Sequence, residues 1–190
     1  MNTGRQPRDR SDVAEGRGVS IVSRTVAVAL IVLVASSVFA QDPDRGSFVP
    51  DIVKQVFIDP TTYVPAIVAW KATRLDWGSS QVFFQNGYVE KNPRFTVSGR
   101  AGDTAIGYAA GNRQILTDAL ANLELSLINN VSERVFERLL VSRYPNQRKL
   151  LRAVGWIERG AMASLLTYRQ SAGHFRQWKE NERLAGQLGY

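Results

Sequence analysis

Cysteine is absent from this 190-residue chain, which removes disulfides, thiolate metal sites and an acylated lipoprotein cysteine together. Histidine is nearly absent as well. His174 stands alone in SAGHFRQWKENE with no acid three or four residues before it, so the Glu-x-x-His pair of carboxylate-bridged metal bundles is missing. No Gly-x-Ser-x-Gly elbow occurs, and GRAGDTAIG lacks the Gly-Lys-Ser/Thr ending of a phosphate loop. No cofactor is therefore expected, and binding is a better first expectation than catalysis. Long apolar runs are scarce too: one uncharged stretch, Thr25 to Ala40, stands out.

That stretch, TVAVALIVLVASSVFA, follows Arg24, and Val38 and Ala40 are the small residues that precede a cleavage point between Ala40 and Gln41. Basic n-region, apolar core and small c-region are the order of a secretory signal, and the core is shorter than the roughly 18 to 20 residues of a spanning helix. Residues 1–24 are expected to be a basic, disordered n-region, 25–40 the signal core and cleavage region, 41–58 a lead-in and 59–190 a helical domain. The protein is thus expected in the periplasm or secreted. An uncleaved single span holding the domain outside the cytoplasm is the alternative.

Arg5, Arg8, Arg10, Arg17 and Arg24 face only Asp9, Asp12 and Glu15 in the first forty residues. The remainder keeps 19 basic and 14 acidic side chains, a net charge of +5. A moderately basic exported surface suits an anionic envelope component, a membrane surface or a protein partner, and makes nucleic acid a poor candidate.

Periodicity predicts an all-α or mostly α fold, a small bundle of four to five helices. Asp59-Pro60 opens a helix expected to end at Gly78, with Tyr63, Ile67, Trp70, Arg74 and Trp77 on one side. Asn86-Gly87 is a hairpin signal near 81–92, although Val82, Phe83 and Phe84 do not alternate and favour a short helix with a loop. Ser98 to Gly102 is a loop, with Asp103 capping a helix from Thr104 to about Asn129. In that helix Ile115, Leu116, Leu120, Leu123, Leu127 and Ile128 form the apolar stripe, opposite Asp118, Asn122 and Ser126. Asn129-Asn130 then breaks the chain, Asn130 capping a further helix that ends near Tyr144-Pro145. In the last helix Leu150, Val154, Ile157, Ala161, Ser164, Tyr168, Ser171, Phe175 and Trp178 step by four and three as a heptad-like seam. Small residues, among them Gly107, Gly111, Gly160, Ser164, Ala161 and Ala163, are expected where helices pack closely.

The candidate surface for a partner or membrane is the basic and aromatic tail: Tyr168, His174, Phe175, Arg176, Trp178 and Lys179. A small envelope hydrolase using Glu158 or His174 is the enzymatic alternative. Most of the helical glutamates, however, are flanked by arginines, as in SERVFERLL, a pattern of solvated faces and ion pairs.

Overall fold

A computed structural model describes residues 48–190. The chain divides into two units, Met1–Val49 and Pro50–Tyr190, and the signal segment with its Ala40-Gln41 junction lies outside the described residues. Four α-helices occur among the described residues: α1 (Phe48–Ile58), α2 (Val64–Gln85), α3 (Tyr108–Arg143) and α4 (Arg148–Leu188). Single 3-10 turns stand at Pro60–Thr62, Pro93–Phe95 and Pro145–Gln147. The fold is all-α.

α2 packs chiefly on α4 and next on α3. Its entry is set as the sequence predicts: the Asp59 carboxylate accepts from the Thr61 N–H at 3.1 Å, with Pro60 in the first turn. Its exit is not. The helix runs through Gly78, whose cost of about 1 kcal/mol in a helix interior is offset by burying Trp77 and Phe83 on either side of it. It stops at Gly87, which takes φ +86° while Gly87 N–H donates to Phe84 O at 3.2 Å and Tyr88 N–H to Phe83 O at 3.0 Å. That pair of bonds is a Schellman cap. Asn86-Gly87 therefore ends a helix and no hairpin forms at 81–92.

The segment between α2 and α3 is held by isolated antiparallel bridges, Glu90 with Asp103 and Thr96 with Ala105. They fold Phe95 and Ile106 over Trp77 and Ile115, the main apolar cluster. Asp103 does not cap α3; its carboxylate accepts from the Thr104 N–H at 2.7 Å, and α3 begins at Tyr108. The Gly111 backbone lies so close to the Trp77 indole that a Cβ there would overlap the ring, while Trp77 Nε1 donates to Tyr108 O at 3.3 Å. Close approach is thus real at Gly111 and at buried Ala163, but Gly160 meets nothing and Ala161 and Ser164 are exposed.

α3 has no break at Asn129-Asn130. Asn130 is 2% exposed and its side-chain amide donates to Thr62 Oγ1 at 2.7 Å and Thr61 Oγ1 at 2.9 Å. A buried tertiary hydrogen bond outweighs the tendency of asparagine to cap. α2 therefore runs antiparallel to α3, since its start meets Asn130 and its Trp77 meets Tyr108, and α4 returns alongside α2. Beyond the start of α2, α3 and α4 continue as a hairpin through Tyr144 to Gln147.

The interior of that hairpin is polar. Arg159 has a side chain 3% exposed and donates through Nη1 to Glu137 Oε2 at 2.8 Å. Arg134 Nη2 donates to Asp59 Oδ2 at 2.7 Å, and Asp59 also lies 3.5 Å from Arg159 Nε. Ser126, Asn130, Arg159 and Ser171 are buried, whereas Leu116, Leu120, Leu150, Val154, Ile157 and Tyr168 are exposed. The apolar stripe predicted on α4 therefore faces largely outward, except around Ser171, Phe175 and Trp178, while that on α3 is divided: Ile115 is buried, Leu123, Leu127 and Ile128 are half-buried, and Leu116 and Leu120 are exposed. Small and polar residues let these long helices approach closely and satisfy one another's hydrogen bonds, and that sets their facing sides.

Candidate functional site

Exposed apolar side chains occur on every helix, and one group of them lies at the hairpin end. Phe136 and Leu140 on α3 and Tyr144 just after it are 58%, 44% and 51% exposed, and Leu150, Val154, Trp156 and Ile157 on α4 are 62%, 51%, 70% and 60%. Phe57 and Ile58 at the end of α1 are exposed as well, and α1 is tied to the hairpin by Arg138 to Asp51 at 3.3 Å and Arg134 to Gln55 at 3.1 Å.

The charge pattern over the same stretch is one-sided. Between Leu139 and Ile157 lie Arg143, Arg148, Lys149 and Arg152, all exposed, and no acid. Acidic residues begin just inside, at Glu133, Glu137 and Glu158. Burial, the Glu158 charge and a hydrogen bond with Glu158 raise the pKa of Glu133 above the ordinary glutamate range, against the pull of Arg159. Burial pushes Asp59 up, but the Thr61 hydroxyl and N–H together with Arg134 bring it to a net value below the usual carboxylate range. Glu133 and Glu137 are half-buried beside Arg159, Glu158 is exposed, and the surface from Leu139 to Ile157 is cationic and apolar.

The tail residues singled out from the sequence scatter. Tyr168 is 69% exposed, and Arg176 and Lys179 are exposed. Phe175 and Trp178 are half-buried with ring centroids 6.4 Å apart. His174 turns to α2 instead of joining them: its Nδ1 lies 2.8 Å from Asp76 Oδ2. Beside it buried Asn181 donates to Asp76 Oδ1 at 3.3 Å, Ser79 Oγ at 3.0 Å and Ser80 Oγ at 2.9 Å. Glu158 and His174 are sixteen residues apart on α4, a helical rise of about 24 Å. The Asp76–His174 pairing had no local signal, because its partners are 98 positions apart. The cationic hairpin end stands in the sequence as RYPNQRKLLR, where the helix expected to end near Tyr144-Pro145 gives way to the last one.

Among the described residues no cluster of three or more His, Asp or Glu is placed to hold a metal, and no helix is long and apolar enough to cross a membrane. No known protein family matches the chain, and no curated protein or solved structure matches it.

Proposed function

We propose that this is an exported helical protein that binds the surface of anionic membranes, with the end of the α3–α4 hairpin as its docking surface. The observation that carries this is the coincidence, from Leu139 to Ile157, of exposed Tyr144, Leu150, Val154, Trp156 and Ile157 with four cations and no acid. Tyrosine and tryptophan favour the headgroup level, and each Lys or Arg near an anionic leaflet adds about 1 kcal/mol. Charge complementarity thus selects anionic lipid as the occupant. Export rests on the segment Thr25 to Ala40, and the periplasm or exterior is the compartment this reading assigns.

Because the chain has no cysteine, a fluorophore placed by Trp156→Cys reports from one site alone. An environment-sensitive label there shifts to the blue and is quenched by lipid-borne quencher on mixed phosphatidylglycerol–phosphatidylcholine vesicles, and stays aqueous on phosphatidylcholine. The same label at Arg100→Cys, in the loop at the opposite end of α2, stays aqueous on both. A label at 156 that remains aqueous on phosphatidylglycerol overturns the proposal. So does one already shielded without vesicles, which would make the surface a contact between copies of the chain.

A further inference from the structure

Past the hairpin end, the outward side of α4 stays apolar for about three further turns. Leu150, Val154, Ile157, Ala161, Leu165 and Tyr168 are all exposed, the last two without any part in the hairpin end. At about 100° per residue these six fall within an arc of about 80°, and the line they form is about 27 Å long. Gly155, Arg159 and Ala163, which α4 buries over the same stretch, lie on the opposite side. One face of the helix closes the fold and the other is left to solvent.

Charge is arranged around this arc. From Leu150 to Tyr168 the arc itself carries none: Arg159 points inward to Glu137 and Asp59, and Glu158, the one acid of the stretch, stands at the arc's edge. Arg148, Lys149 and Arg152 border the line at one end and Arg169 at the other, all of them exposed. Trp156 on one flank and Tyr168 at the far end are 70% and 69% exposed, and such side chains settle at the headgroup level of a bilayer. An uncharged arc bordered by cations and amphipathic aromatics suits a helix lying in the plane of an anionic interface, its apolar side sunk about 5–10 Å. A second copy pairing along the same line would be selected by charges beside the seam. Ala153, Gly160 and Thr167, which flank it on one side, carry none.

We propose that α4 lies flat on the anionic membrane from Leu150 to Tyr168, so that the bound protein holds its long helix in the plane of the leaflet instead of meeting it by the hairpin end alone. This rests on the membrane reading above and adds a second contact, from Ala161 to Tyr168, with Arg169 at the headgroups.

The full chain carries the environment-sensitive label at Ala161→Cys or at Tyr168→Cys, and each is compared with Trp156→Cys on the phosphatidylglycerol–phosphatidylcholine vesicles. All three labels are expected to shift to the blue and to be quenched by lipid-borne quencher. A response at 156 with either 161 or 168 still aqueous confines contact to the hairpin end; it overturns the flat orientation and leaves the membrane reading standing. No response at any of the three overturns both. A label at 161 already shielded without vesicles assigns the arc to a second copy and overturns the proposal as well. In the unlabelled chain, Ala161→Glu puts a carboxylate in the middle of the arc and is expected to weaken vesicle binding about tenfold. Ala161 is exposed, so the melting temperature stays unchanged. Met162→Glu adds the same charge about 100° further round the helix and should weaken binding far less. Equal losses from the two variants would mean that net charge alone is read, and the flat contact would fall.

Discussion

Asn130 shows how much one side chain decides in this fold. Its amide reaches across from α3 to two threonine hydroxyls at the start of α2, and Thr62 Oγ1 in turn donates to Val56 O at 2.8 Å. Three segments are joined through a site nearly closed to water. Asn130→Ala leaves a void and takes away the donor that both hydroxyls accept from, at a cost of about 1–3 kcal/mol. Chemical denaturation of the variant should show a lower midpoint with an unchanged denaturant slope. An unchanged midpoint would mean that water replaces the amide without loss. Gly111 is constrained in the opposite way, since the indole of Trp77 occupies the space that any larger residue would need.

At the scale of elements, the α3–α4 hairpin is held by charge inside and left apolar outside. Removing one partner of a buried ion pair costs roughly 3–5 kcal/mol, so Arg159 between Asp59 and Glu137 keeps the two helices in register. Glu133 works against this arrangement. Its folded pKa is raised by burial and by Glu158, so the folded state holds the proton more tightly than the unfolded chain does. The penalty is present at neutral pH and is relieved as pH falls through the folded value. Glu133→Gln is therefore expected to melt higher than the parent at neutral pH. The gain should vanish in acid strong enough to protonate an ordinary glutamate. Asp59 has the reverse sign: its folded pKa is lowered, so its contribution is present at neutral pH and lost in acid. Comparing melting curves of the variant and parent at each pH isolates Glu133, and a gain that persists in acid would refute the assignment.

For the described residues as a whole, the fold turns an ordinary composition into an uneven surface, with a cationic and apolar end at the α3–α4 hairpin. Membrane binding through Arg143, Arg148, Lys149 and Arg152 should weaken as salt rises, because exposed charges are screened beyond about 10 Å at 0.1 M ionic strength. Partial retention on phosphatidylglycerol vesicles at high salt is expected from the apolar side chains, and sedimentation with vesicles across a salt series measures both contributions. Binding that salt leaves untouched would assign the whole effect to apolar contact.

By itself the sequence determined the helical class, the Asp59-Pro60 entry of α2, the loop at Ser98 to Gly102 and the lack of thiol chemistry, because composition and local hydrogen bonding act over a few residues. It also marked an apolar stripe along α4, Leu150 to Trp178, of which only Ser171 is buried and Phe175 and Trp178 half-buried. Which way that stripe faces was decided by tertiary structure. Gly155, Arg159, Ala163, Ser171 and Asn181 form the buried side of α4, since backbones approach closely only over small residues and buried polar groups need partners supplied by other helices. Spacing along one helix cannot reveal such partners. The same reason hid the Asp76–His174 pair and carried α3 through Asn130.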